Sequence, residues 1–287
     1  MRPSFEYHRP ASLAEACALL RELGPEARPL AGGTDLLVDL RRSATSPSHL
    51  VSLADVAELR GITRDGDELR IGGGTTPSEL EASTLARECR PELLDAVQAF
   101  GTPQIRHRAT VAGSLCTAAS CGDLAPLLLA LDARVQLVST GGRRDLPLTE
   151  FFGGHRETAL RPDEVLVQVA LRVRRAGEGA AYRAFGQRAA NFITVAGAAA
   201  CLRLEKGRCT EARITLGAVA PTPIRVSAAE SLLVGGRPDG AAVAAAARAA
   251  RERAAPISDV RGSAEHRRDL VEALCARAIV AALERAA

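Results

Sequence analysis

Two glycine-rich segments constrain this chain more than anything else in it: Leu30-Ala-Gly-Gly-Thr-Asp-Leu36 and Thr110-Val-Ala-Gly-Ser-Leu115, the second followed by the isolated acid Asp123. Adjacent glycines remove Cβ atoms and let backbone N–H groups approach a ligand, and successive amides in a tight turn form a concave anion site. Two such turns suit one long diphosphate gripped from two sides. Each alone reads equally as a turn between core elements. A third run, Gly72-Gly-Gly-Thr-Thr76, ends a strand before a helix and reads both as punctuation and as a ligand contact.

At 287 residues the chain exceeds a single core, so two or three subdomains are expected. An apolar share of 47% with only 3% aromatics and no Trp makes that core aliphatic and Ala-rich. The net charge is +3 and the basic residues are scattered, which implies no nucleic-acid partner. Seven cysteines without a CxxC or a Cys/His cluster predict free thiols in a reducing cytoplasm and no metal site. The start, MRPSFEYHRP, lacks the apolar stretch of an export signal, and no run is long enough to span a membrane, so a cytoplasmic protein is expected.

Local patterning predicts a strand at Phe5 to His8, a helix opened by the capping box Ser12-Leu-Ala-Glu15, and a strand, Arg28 to Ala31, entering the first glycine turn. Strands follow at Leu50–Leu53 and Leu69–Ile71, helices at Ser78–Cys89 and Pro91–Phe100, and after Asp123 an apolar helix. Ala133–Val138 and Glu164–Leu171 read as strands, and the stretch 174–180 as a domain boundary. Beyond it come an antiparallel hairpin turning at Glu205-Lys-Gly-Arg208 and two helices, Ala241–Ala254 and Asp269–Ala286.

No nucleophile elbow, HExxH, Walker loop or GxGxxG is present, carboxylates stand singly, and each of the five histidines reads as a surface or capping residue. No catalytic residue is assigned. Without a catalytic set of its own, a bound cofactor is the natural carrier of chemistry.

The Tyr7-His-Arg-Pro10 opening, Leu-Ala-Gly-Gly-Thr-Asp-Leu-Leu at 30–37, Gln104-Ile-Arg106 leading into Ala109-Thr-Val-Ala-Gly-Ser-Leu115, Gly122-Asp-Leu-Ala-Pro126 and Ser263-Ala-Glu-His-Arg-Arg268 together carry a resemblance. Along nearly its whole length the chain resembles the FAD-binding (medium, flavoprotein) subunit of molybdenum hydroxylases, the carbon monoxide dehydrogenase and xanthine dehydrogenase group. The resemblance implies an α+β fold. A PCMH-like FAD-binding domain over 1–175, in subdomains of about 1–55 and 56–175, would precede a C-terminal domain over 180–287 with a three-stranded antiparallel sheet and helices. It implies FAD as cofactor. Leu30, Ala31, Gly32, Gly33, Thr34 and Asp35 would form a first cradle for the diphosphate and ribityl region, and Thr110, Gly113 and Ser114 a second. Asp123 would lie beside the adenosine and ribose, Leu166 would offer a backbone contact, Phe100 and Gly101 would border the flavin, and Phe192 would lie near its ring.

The resemblance further implies electron transfer from the iron–sulfur clusters of a molybdenum hydroxylase complex through flavin to an acceptor such as NAD+ or a quinone. The partners would be a large molybdopterin-binding subunit and a small 2Fe-2S subunit. A stand-alone FAD-dependent oxidoreductase and a non-catalytic nucleotide-binding module are the alternatives. Four positions depart from the family pattern: Ala112 and Ser114 replace Gly and Asn in the second segment, His107 replaces Asn, and Ala184 replaces a Lys. Gly33→Val and Gly113→Val are each expected to abolish FAD retention and Gly142→Val to spare it, read from flavin absorbance of the purified proteins; equal occupancy in all three refutes the assignment.

Overall fold

In the N-terminal unit, β1 (Glu6–His8), α1 (Leu13–Leu23), β2 (Ala27–Leu30), α2 (Leu36–Arg41) and β3 (His49–Ser52) build a parallel three-stranded sheet in the order β1-β3-β2. The computed structural model describes residues 4–189 and 191–287. Ser12 caps α1 as its sequence predicts, accepting from the Glu15 amide at 3.2 Å, while the Glu15 carboxylate reaches back one residue further than a capping box would, to the Ala11 amide at 2.8 Å. The face Ala16, Cys17 and Leu20 is buried on the sheet, and Gly24 ends the helix at φ +57°.

The second unit is a five-stranded antiparallel sheet, ordered β4-β5-β10-β6-β7. Its elements are β4 (Ile62–Asp65), β5 (Glu68–Gly72), α3 (Pro77–Ala82), α4 (Thr84–Cys89), α5 (Leu93–Ala99), α6 (Pro103–Arg106), α7 (Val111–Thr117), α8 (Leu124–Ala130), β6 (Arg134–Ser139), β7 (Gly142–Pro147), the small hairpin β8 (Phe152–Gly154) and β9 (Glu157–Thr158), and β10 (Val165–Arg172). The helix expected from Ser78 to Cys89 divides at Ser83, whose hydroxyl accepts from the Ala86 amide at 3.1 Å and so caps a new helix. All seven residues of α8 are buried, which explains a helix with no polar face.

In the C-terminal unit β11 (Glu178–Phe185), β12 (Ala196–Glu205), β13 (Arg208–Gly217) and β14 (Ile224–Arg225) form an antiparallel sheet in chain order, covered by α9 (Ser227–Ser231), α10 (Gly240–Arg253) and α11 (Ala264–Ala286). Three strands are long, and the fourth is a two-residue addition at the edge. Lys206 and Gly207, at φ +52° and +76°, make the two-residue turn between β12 and β13. The helix expected from Asp269 begins earlier, at Ala264, because Ser263 caps it by accepting from the His266 amide at 3.1 Å. Small residues set the packing distance: a Cβ on Gly179 would lie 2.1 Å from the Ala282 carbonyl of α11.

A buried ionic cluster joins the second and third units. Arg90, 1% exposed, bonds Glu92 at 3.0 Å and Glu178 of β11 at 2.6 Å, and its Nε donates to the Arg172 carbonyl. Burial opposes ionisation of Glu178, but the guanidiniums of Arg90 and Arg175 outweigh it and hold the carboxyl below its ordinary range. Glu92, with Arg90 as its one ion-pair partner among the described residues, is pushed up by burial. Arg90→Met, which strands Glu92, is expected to lower unfolding free energy by about 3 kcal/mol in urea titration followed by circular dichroism, and a loss under about 1 kcal/mol would show the cluster to be dispensable. Gly142, at φ +124°, is strained by any Cβ, so it is no neutral control for the glycine substitutions; Gly141, with ordinary φ and its nearest contact at 3.5 Å, is.

Candidate functional site

The first glycine segment leaves β2 and turns into α2 with Gly33 at φ +75°. The Leu37 amide closes back on the Gly33 carbonyl at 3.0 Å, but among the described residues nothing accepts from the amides of Gly32, Gly33, Thr34 or Asp35. Four successive N–H groups without protein acceptors, the first three on half-buried residues, make the kind of donor row that binds an anion. Gly32 lies on the chain entering α7: its Cβ would fall 1.9 Å from the Arg108 carbonyl oxygen.

The second segment is not the turn its glycine suggested but the start of α7. Thr110 is the N-cap, and every early N–H has a protein acceptor: Val111 donates to Thr75 O at 2.9 Å, Ala112 to Gly73 O at 3.0 Å, Gly113 to Thr110 Oγ1 at 3.0 Å and Ser114 to Thr110 O at 2.9 Å. The third glycine run supplies two of these acceptors. Gly73 also meets β10, where a Cβ would lie 2.3 Å from Leu166 O; there a bulge between Leu166 and Gln168 shifts the pairing with β6. Ala112 is helical, so its Cβ is tolerated where the family pattern carries glycine.

Between the first two units these segments enclose a cleft of about 440 Å³. Ala31, Gly32, Thr110 and Leu166, all expected at the site, line it, with apolar Leu59 and Ala112 and the polar Arg60, Glu79, His107 and Arg108. Leu30, Gly33, Thr34 and Asp35 adjoin the cleft through the first turn. Sequence reasoning missed Arg60 and Arg108, and a resemblance-derived substitution was the sole signal for His107, which caps the C-terminus of α6.

The remaining expected residues lie beyond the first turn. Thr117 Oγ1 donates to Asp35 at 3.4 Å, tying that turn to the far end of α7, where Ser114 neighbours Gly122. Asp123 is buried, and its Oδ1 accepts from Tyr182 Oη at 3.0 Å and Thr194 Oγ1 at 2.5 Å; among the described residues Oδ2 has no donor. Phe192 folds over Gly186, whose Cβ would meet the ring at 2.1 Å. Phe100 ends α5 beside Gly101, at φ +47°, and Arg106 donates to both carbonyls at 3.3 and 3.5 Å. Phe100, Gly101, Gly113, Ser114, Asp123 and Phe192 do not line the cleft.

Two family models match the chain: the FAD binding domain in molybdopterin dehydrogenase over residues 3–171, and the CO dehydrogenase flavoprotein C-terminal domain over residues 180–282. The chain is 35% identical to the carbon monoxide dehydrogenase medium chain of Afipia carboxidovorans over 99% of this chain and 98% of that one. It is 35% identical to the xanthine dehydrogenase FAD-binding subunit of Escherichia coli O157:H7, over 95% and 94%. Its structure superposes on that of carbon monoxide dehydrogenase from Hydrogenophaga pseudoflava with a TM-score of 0.97 and 36% identity, covering 100% of both chains.

The chain belongs to the FAD-binding subunits of the molybdenum hydroxylases. It is thus an FAD-dependent oxidoreductase subunit, and the residues present fit the cofactor. The amides at 32–35, without protein acceptors among the described residues, are donors suited to phosphate oxygens, and the cleft has apolar walls and the guanidinium groups of Arg60 and Arg108. Ala184 stands where the resemblance implies a lysine. The neighbouring Arg183 points to the opposite face of β11 and pairs with Asp95 at 3.1 Å.

Burial pushes the Asp123 carboxyl up to about 7, against the hydrogen bonds from Thr194 and Tyr182, which lower it. A folded-state value above the unfolded 3.8 means that the native protein holds the extra proton, so this contribution is complete below about pH 4 and lost as pH rises to about 7. In the FAD-free protein, Asp123→Asn keeps the Oδ1 acceptor and removes the titration. Between those pH values wild-type stability is expected to fall more steeply than the variant's, by up to ~1.4 kcal/mol per pH unit in urea titrations; parallel curves would contradict the shift.

Proposed function

We propose that this subunit holds an extended FAD with its nucleotide end in the cleft at Thr110 and Leu166, its diphosphate on the amides of Gly32 to Asp35, and its flavin end toward Phe100, Gly101 and Phe192. Ser114 and Asp123, which the resemblance set at the diphosphate and at the adenosine and ribose, are reassigned to the flavin side because neither lines the cleft. The observation that carries this reading is the row of four amides without protein acceptors at the mouth of the cleft. Neutral N–H dipoles bind phosphate oxygens without placing a mobile cation beside the redox centre. Tyr182 and Thr194 fix Asp123, and Thr117 fixes Asp35, so both acids keep one orientation. Gly113 serves the cap of α7, and Leu30 and Leu37 wall the turn at Gly33.

Bound FAD supplies the electron transfer, taking electrons from iron–sulfur clusters and passing them to NAD+ or a quinone. Relatives are named as the medium chain of carbon monoxide dehydrogenase and the medium subunit of nicotine 6-hydroxylase, which supports assembly with a large molybdopterin-binding and a small 2Fe-2S subunit. The seven unpaired cysteines support a cytoplasmic location, and no helix among the described residues is long and apolar enough to cross a membrane.

Gly32→Ala drives a methyl into the Arg108 carbonyl and is expected to reduce FAD per chain, measured by absorbance after desalting, at least tenfold (about 1.4 kcal/mol), while Gly141→Ala retains it. Equal occupancy would overturn the assignment. For the acceptor, the reduced purified complex is mixed anaerobically with NAD+ or with a quinone; reoxidation of the flavin by neither removes electron transfer to these acceptors from the proposal.

A further inference from the structure

The histidines that stand alone in the sequence do not stand alone in the fold. Parallel pairing of β1 and β3 sets Glu6 opposite His49, and the two-residue repeat of a strand puts His8 on the same face as Glu6. His8 Nε2 lies 3.1 Å from His49 Nδ1, and Glu6 Oε2 lies 3.4 Å from His49 Nδ1 and 4.0 Å from His8 Nε2. Both imidazoles are about three-quarters buried, whereas the Glu6 side chain is 75% exposed and free to adjust.

We propose that Glu6, His8 and His49 form a binding site for a divalent first-row transition cation of the Zn2+ type, outside the flavin site. Tetrahedral bonds of about 2.0–2.1 Å to nitrogen and oxygen require ligand atoms roughly 3.3 Å apart. Two edges of the triangle already have nearly that length, and the third closes by rotation of the exposed Glu6 carboxylate. Two imidazoles and one carboxylate match zinc-like cations and are poor for calcium or magnesium, which take all-oxygen sets. The 75% exposure of the Glu6 side chain gives water access to this side as the fourth ligand. The nearby cation Arg9 is already paired with Asp55 at 2.6 Å and so adds little repulsion. Occupancy would staple the three-residue β1, an edge strand of the first sheet, to the central β3.

The untagged full-length FAD-loaded protein, stripped with EDTA and desalted, is titrated with ZnSO4 by calorimetry and with CoCl2 by visible absorbance. One zinc per chain is expected, with the intense absorption of four-coordinate cobalt, and with binding weakened at least about tenfold by His49→Ala and by His8→Gln. Glu6→Gln should weaken it also. Zinc should raise the melting temperature of wild type and leave the two histidine variants unmoved. His8→Gln, at the exposed edge, retains hydrogen-bonding capacity toward His49 and tests the site should His49→Ala misfold. Absence of zinc binding up to about 1 mM, weaker than any site worth ~4 kcal/mol, overturns the proposal, as does binding that survives both histidine substitutions, which would place the metal on cysteine thiols.

Discussion

Backbone-to-backbone contact at two missing Cβ atoms holds the site together. Gly32 rests on the Arg108 carbonyl and Gly73 on the Leu166 carbonyl, at distances that no other residue permits. Through Gly73 and Thr75 the same chain caps α7, so three stretches remote in sequence converge on one cleft. A side chain at either glycine would wedge apart the first unit, the second sheet and the helix between them. The cleft is therefore a consequence of where side chains are absent.

That arrangement divides the labour between the two glycine segments. The first leaves its amides without protein acceptors among the described residues; the second consumes its amides in capping α7. The C-terminal unit completes the far end, since Tyr182 of β11 and Thr194 supply both hydrogen bonds to Asp123. Arg90 and Glu178 hold the same two units together elsewhere, so the orientation of Asp123 rests on a buried ionic contact as well as on its own hydrogen bonds.

Local signals were legible where a residue acts on its own neighbours. Ser12 and the hairpin at Lys206-Gly207 behave as their patterns require, and the apolar stretch after Asp123 is the helix α8. Legibility failed where the deciding partner is remote. β11 occupies ground that resembles a linker because its order comes from pairing with β12, whereas the caps at Ser83 and Ser263 are local, each acting on the amide three residues on, and were masked by continuous helical periodicity. The second glycine segment looked like a turn because Gly signals freedom, whereas here Gly113 fits a helical position where a Cβ would lie 2.8 Å from Thr110 Oγ1.

By itself the sequence pointed to a diphosphate held by short glycine-rich runs, and its resemblance to a known family, carried by motifs that survive as text, implied FAD. The tertiary structure alone decided which amides remain free, that Arg60, His107 and Arg108 face the cleft, and that His8 meets His49. Each of these depends on a distance between residues far apart in the chain. Such distances are set by strand register and by the close approach of backbones at glycine, and neither leaves a local pattern.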